Sequence, residues 1–304
     1  MTKHEASDKF QIVTDKLVQL LETGVKPWSK PWHSQNSESI FRNLVSGHCY
    51  KGINPIICLI DILSLGDDRP YFVGFSQAKE LDWKLQKGSK STWLRWGGTV
   101  AKSTENENGE TEKHFYNACK WLNVFHVSLF DDSEAKIKIA DYAAKYEGVK
   151  LEVINPDARL TEADRLITST GAKIRYGGGR ACYSPDADMI LMPDFEQFTS
   201  ASSFYATAIH ELSHWTGHKT RCDRELSGHF GSANYAYEEL IAEIGAAFTC
   251  NHLGISGEME NHASYIASWI KALKDDKKFF FKAATEARKA SEFLIDSTSQ
   301  QLAA

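Results

Sequence analysis

The chain has 304 residues, 42% hydrophobic and 25% charged, with a formal net charge of −5. That length and balance suit a folded chain with room for two domains, and exclude a disordered, fibrous or strongly basic protein. No apolar run reaches the roughly 18 residues of a membrane span, the first residues lack a secretory core, and the six cysteines show no Cys-x-x-Cys spacing, so a cytoplasmic chain with free thiols is expected.

Charge is unevenly shared. Residues 1–128 hold 16 Lys and Arg against 14 Asp and Glu, or +2, and residues 129–304 hold 19 against 26, or −7. Within 26–102 there are 11 basic and 6 acidic side chains, and six of the eight tryptophans precede residue 122. The expected organisation is α+β in two domains: a small-sheet domain over 1–128, a charged linker region over 129–158, and a second domain over 159–304.

In chain order, residues 7–24 read as an amphipathic helix stopped by Gly24. Lys26-Pro27-Trp28-Ser29-Lys30-Pro31-Trp32 follows, and its two prolines predict an extended segment that presents both tryptophans. A helix is expected from Pro55 to about Leu63, a buried strand at 71–75 and a short helix from a Ser76 cap to Leu81. A basic turn at Lys87-Gly88-Ser89-Lys90 leads into a strand at 92–96. A polar loop at 103–112 precedes strands at 115–116 and 121–127. Basic residues interleaved with aromatics are the combination that tracks phosphates and stacks on bases, and the candidates are Lys26, Trp28, Lys30, Trp32, Arg42, Tyr50, Lys51, Lys87 and Lys90.

Beyond a helix expected at 136–146, a helix over 161–170 and short strands at 172–176, 181–183 and 189–192 lead to Ala206-Thr207-Ala208-Ile209-His210-Glu211-Leu212-Ser213-His214-Trp215-Thr216-Gly217. Phe204, Ala208, Leu212 and Trp215 recur at helical spacing, and Gly217 falls where a left-handed cap would end the helix. His210 and His214, four apart, lie on one face one turn from each other, where two imidazoles can share a tetrahedral ion with Glu211 beside them as base. A second helix follows, with Leu240, Ile244 and Phe248 toward the core and Glu239 and Glu243 interleaved with Ala242 and Ala246. Glu239 is the expected third ligand, and Glu243 the group expected to orient a ligating histidine through its other ring nitrogen. The third-histidine position of the extended zinc motif falls at Thr220, and His218 lies beyond the expected helix end. Closing helices are expected at 260–274 and 277–296.

The pattern of Glu239, Ala242, Glu243 and Ala246 after the paired histidines resembles the gluzincin branch of zinc metallopeptidases. A broader likeness covers most of the chain. Tyr205-Ala206-Thr207, Trp215-Thr216-Gly217-His218, Arg221, Arg224 and the run Tyr235 to Ala247 resemble the C-terminal half of ArdC-type antirestriction proteins of plasmids and phages. Pro27-Trp28-x-x-Pro31-Trp32, Tyr50-x-Gly52-Ile53-Asn54, Phe75-Ser76-Gln77-Ala78 and Lys87-Gly88 resemble that family's N-terminal domain. Arg42-Asn43-Leu44 departs from it in lacking a proline. The resemblance implies a single-stranded-DNA-binding domain joined to a zincin-like domain, with single-stranded DNA as partner and a host protein as substrate or target of the metal domain.

The expected chemistry is hydrolysis at a Zn2+ site held by His210, His214 and Glu239, with Glu211 as general base and Tyr183, His229 or Tyr235 as a donor to the transition state. Two other readings stay open at this point: an intracellular zinc metallopeptidase without a DNA role, and a non-catalytic DNA-binding protein whose metal holds the fold.

Overall fold

The computed structural model describes residues 8–29, 41–67, 69–105, 111–130, 133–146, 160–229, 232–255 and 263–302. The chain separates into two compact units, one drawn from 1–40, 49–56 and 146–304, the other from 41–48 and 57–145. These units follow contacts, whereas the domains expected at 1–128 and 159–304 and the linker at 129–158 follow the order of the sequence. The opening helix α1 (Lys9–Glu22) belongs with the C-terminal elements, because its apolar face finds cover there. Phe10 meets Phe281 edge to face at 4.9 Å, and the Thr14 hydroxyl donates to the Lys277 carbonyl at 2.9 Å. Asp8 caps α1, accepting from the backbone N–H groups of Phe10 and Gln11.

The smaller unit contains β1 (Arg42–Asn43), most of α2 (Asn54–Leu65), β2 (Tyr71–Gly74), α3 (Phe75–Glu80), β3 (Thr92–Glu105), β4 (Thr111–His126) and α4 (Ser133–Ala144). Its sheet runs β1-β2-β4-β3, with β1 parallel to β2 and the other pairs antiparallel. Helix α4, expected inside a linker, closes this unit instead: Tyr142 packs edge to face on the buried Trp83. The strands β3 and β4 pair from Thr92 and Val124 out to Glu105 and Thr111. Residues 103–105 and 111–112 of the expected polar loop are thus paired in the ribbon, their composition having hidden strands that pair only with each other. The cap of α3 is Gly74, not Ser76. The Gln77 carboxamide accepts from the Gly74 N–H at 2.9 Å while also bonding to Asn43, which fixes the helix start two residues earlier.

His126 ends β4 with no exposure. Its Nε2 contacts the Arg69 carbonyl at 2.7 Å, and its Nδ1 accepts from the Ser128 N–H at 3.2 Å, which together define a neutral ring. Burial depresses its pKa from the usual 6.5, outweighing Asp67 nearby. The unfolded chain takes up this proton first, so the contribution of neutral His126 to stability is complete above pH 6.5 and is lost as pH falls below it. The expected loss is at most about 1.4 kcal/mol per pH unit between the two pKa values. In melts at about pH 7.5 and about pH 5.5, His126→Gln should narrow the acid-induced drop in Tm. An unchanged drop would remove His126 as its source.

The larger unit holds α5 (Thr161–Ser169), β5 (Lys173–Tyr176), β6 (Cys182–Ser184), β7 (Met189–Met192), α6 (Ala201–Trp215), α7 (Ala233–His252), α8 (Ala263–Asp275) and α9 (Phe279–Leu302). Its sheet order is β5-β7-β6, with β7 parallel to β5 and antiparallel to β6, so β6 is an edge. The apolar stripe of α6 (Phe204, Ala208, Leu212, Trp215) is buried as its periodicity requires. Helix α9 packs along α7 with Phe280, Ala284, Ala287 and Leu294 buried, so the Phe279-Phe280-Phe281 run serves packing. Among the described residues no helix is long and apolar enough to cross a membrane.

Candidate metal centre

Helices α6 and α7 cross where their side chains are smallest. Ala242 and Ala246 are fully buried, and a Cβ on Gly245 would come within 3.1 Å of the Ser213 hydroxyl. This approach brings Glu239 of α7 to the paired histidines of α6. Its carboxylate oxygens lie 3.7 Å from His210 Nε2 and 3.5 Å from His214 Nε2, and the three ligand atoms all fall within 4.8 Å of one another. Two ligands of a tetrahedral ion bound at about 2.1 Å stand about 3.4 Å apart, so the spacing fits a small divalent cation with an outward position left over.

The cluster's electrostatics favour a cation. Burial, aided by His214, pulls the His210 pKa down to about 4. Burial would lower His214 as well, but hydrogen bonds to Glu238 and Glu239 prevail and hold it at about 10. For Glu239, burial acts upward and the bond to His214 overrides it, to about 2. An acidic side chain next to an imidazolium is the arrangement a metal ion replaces on binding. Glu211 is only 7% exposed, and burial raises its pKa, as suits a proton-transfer group in a cleft.

Glu243 does not orient a histidine. It accepts from Trp28 Nε1 at 3.2 Å and pairs with Lys26 Nζ at 3.2 Å, all three side chains being buried. Glu238 takes the expected role, with its Oε1 3.1 Å from His214 Nδ1. Arg224 grips Glu238 with two bonds, 2.9 Å to one oxygen and 2.7 Å to the other, and also donates to the Ser213 carbonyl and the Thr216 hydroxyl. The Glu238-Glu239 doublet was the available signal. Two acids one residue apart on a helix point about 100° apart, enough for one to meet the ion and the other the back of the ring.

Gly217 also serves a purpose other than the one its position suggested. It is not left-handed; a Cβ there would meet Leu226 at 2.8 Å and Arg224 at 2.9 Å, so glycine admits the Arg224 clamp. His218 bonds Thr220 and stays out of the cluster.

A cleft of about 580 Å³ opens over the site, lined among others by Gly179, Tyr183, Glu211, Tyr235 and Tyr265. Of the three proposed donors, Tyr183 is engaged by Asp188 and Arg221. Tyr235 bonds Tyr265 at 3.1 Å and Glu239, which sets its hydroxyl at the cluster's margin. His229 does not line the cleft.

Two family models match this chain: the N-terminal domain of anti-restriction factor ArdC over 7–125, and a zincin-like metallopeptidase over 161–286. The solved metal-free structure of the antirestriction protein ArdC from plasmid R388 is 36% identical, covers 96% of this chain and 98% of its own, and superposes with a TM-score of 0.71. The chain belongs to the ArdC antirestriction family. The Mn(II)-bound structure of the R388 protein is also similar, at 34% identity and a TM-score of 0.69. Two Escherichia coli proteins named DNA primase TraC are 33% and 32% identical over nearly all of this chain, which spans only 27% and 20% of their lengths. A Sinorhizobium fredii protein, y4eC, is 30% identical and covered over 93% of its length. The zincin-like domain and the Mn(II)-bound relative support a divalent metal at the α6–α7 cluster.

Among the residues expected to meet DNA, Lys26, Trp28 and Tyr50 are buried. Lys26 and Trp28 turn inward to Glu243, Trp28 sitting in a 3₁₀ turn against Trp269 and Phe280 where an extended, exposed segment was expected. Their place is set by the buried acid, a partner some 215 residues away in sequence. Tyr50 is buried, at 6% exposure. Lys51 is exposed in the larger unit, and Lys87 and Lys90 are exposed in the smaller one, with Arg42 half-buried at the start of β1. Lys30 and Trp32 lie outside the described residues.

Proposed function

We propose that this chain binds single-stranded DNA and protects incoming plasmid or phage DNA from host restriction, and that its C-terminal domain is a zinc-dependent peptidase acting on a host protein in the cytoplasm. The observation that carries the peptidase half is the buried His210, His214, Glu239 cluster with Glu211 beside it at the floor of a cleft. The nucleic-acid half rests on kinship with the antirestriction protein ArdC of plasmid R388.

Zinc suits two imidazoles and one carboxylate, and when bound it supplies Lewis-acid chemistry to a carbonyl. Glu211 takes the proton of an attacking water and returns it to the leaving amine. Tyr235, at the cluster's margin, is the donor placed to steady the developing oxyanion. The β6 edge beside the cleft suits an extended peptide held by strand addition.

The test is the entry of restriction-sensitive DNA into a restricting host that expresses the chain. Wild type should raise recovery of that DNA, and Glu211→Gln should lose the gain while keeping its metal, since removal of a general base costs about 100- to 10,000-fold in rate. No gain with wild type would sink the antirestriction reading. Equal protection by Glu211→Gln would sink the hydrolytic one.

A further inference from the structure

The β3–β4 ribbon of the smaller unit carries aromatic and basic side chains that the first reading of the sequence did not join. Register places Trp93 opposite Asn123 and Arg95 opposite Trp121. Side chains alternate along a strand and cross-strand partners share a side, so Trp93, Arg95, Trp121 and Asn123 all project from one face. Trp93 is diagonal to Trp121, within reach of a large ring. Arg95 Nε donates to Cys119 Sγ at 3.0 Å, which lays the guanidinium along this same face. The row continues through Phe125 to Phe75, which tilts against it at 6.2 Å and is 55% exposed. The opposite face is less suited, as Lys120 sits over the Trp96 ring at 5.0 Å and that ring in turn packs on Gly98.

Charge selects the occupant. Residues 84–130 hold seven Lys and Arg against four acids, and all four acids fall between 105 and 112, at the end of the ribbon away from Trp93 and Trp121. Indole and guanidinium planes on a sheet with a basic excess along its strands suit a chain of stacked bases with a phosphate on every unit. An apolar protein surface would gain nothing from those cations.

We infer that the Trp93, Arg95, Trp121 and Phe75 face of the β3–β4 ribbon is the platform on which single-stranded DNA stacks, with Lys87 and Lys90 at the start of β3 following its phosphates. This rests on the single-strand reading above and replaces the Lys26–Trp28 segment as the location.

The test is titration of the full chain with a fluorescent oligothymidylate of about 15 nucleotides at several salt concentrations. Trp93→Ala and Trp121→Ala should each weaken binding about tenfold, while Trp93→Phe and Trp121→Phe keep most of it because a ring remains. Arg95→Glu should weaken binding and flatten the salt dependence. Wild-type affinity in Arg95→Glu and in both alanine variants, each with an unchanged Tm, would overturn the platform and leave single-strand binding standing. No salt-sensitive binding by the wild-type chain would overturn single-strand binding itself, and the platform with it.

Discussion

Glu239→Ala should purify without a stoichiometric ion. Wild type grown and purified beside it should carry one, read by elemental analysis and by titration with zinc. Glu239 supplies the only carboxylate in the cluster and is 8% exposed, so alanine leaves two imidazoles as the whole ligand set. Loss of one of three protein ligands should take metal affinity down by about 1,000-fold or more, beyond the 10- to 100-fold typical of an outer hydrogen-bonding partner. Glu238→Gln marks that lesser class, because it removes the charged acceptor behind His214 and keeps every ligand atom. A Glu239→Ala protein that retains the ion with wild-type affinity would mean that the cation lies elsewhere. A Glu238→Gln protein that falls as far as Glu239→Ala would make Glu238 a ligand and reverse the assignment of the two acids.

The second large effect concerns the buried Lys26–Glu243 pair. Its partners are separated by 217 positions and sit at 7% and 5% exposure, with Trp28 Nε1 bonded to the same carboxylate. Two buried charges are costly to desolvate and add little net stability together. Removing one leaves the other uncompensated. Glu243→Ala should therefore destabilise the larger unit by about 3–5 kcal/mol, measured by urea unfolding, with Lys26→Met costing a similar amount. The double variant Lys26→Met with Glu243→Gln should recover most of that loss, because no charge remains and the carboxamide still accepts from Trp28. Additive losses in the double variant would contradict the pairing. Fully retained stability in Glu243→Ala would show that the segment from Lys26 to Ser29 does not dock on α7.

This second pair shows how far local reading reaches. Two prolines around Trp28 excluded an α-helix, and the structure has only a 3₁₀ turn there. Nothing near residue 28 signalled that its indole would stack on Phe280 and bond an acid of α7. A basic residue beside a tryptophan looks the same in sequence whether it faces a phosphate or a buried carboxylate. Only the long-range partner separates the two cases. Tyr50 is likewise buried, which its neighbours in sequence do not signal.

The candidate ligand cluster was legible because its constraint is local. His210 and His214 are bound to one face by helical periodicity, and Glu239 was marked by buried-type residues in register with it, Ala242 and Ala246. The period of 3.6 fixes which face each acid occupies but not what lies opposite. Periodicity therefore points to Glu243, four residues on and on the same face, as the histidine's partner, whereas Glu238 holds that place. The angle and offset at which α7 crosses α6 decide it, and these follow from Gly245 and Ser213 in contact.

By itself, then, the sequence determined the α+β class, the helices and strands around the paired histidines, and the candidate trio His210, His214 and Glu239 that the structure brings together, because periodicity and capping act over a few residues. Tertiary structure decided the rest. It moved α1 and the Lys26–Ser29 segment to the C-terminal unit, gave His214 to Glu238 and Arg224, and set Trp93, Arg95 and Trp121 side by side on one ribbon face. Each of these depends on the register or burial of residues far apart in the chain, which no window of neighbouring residues encodes.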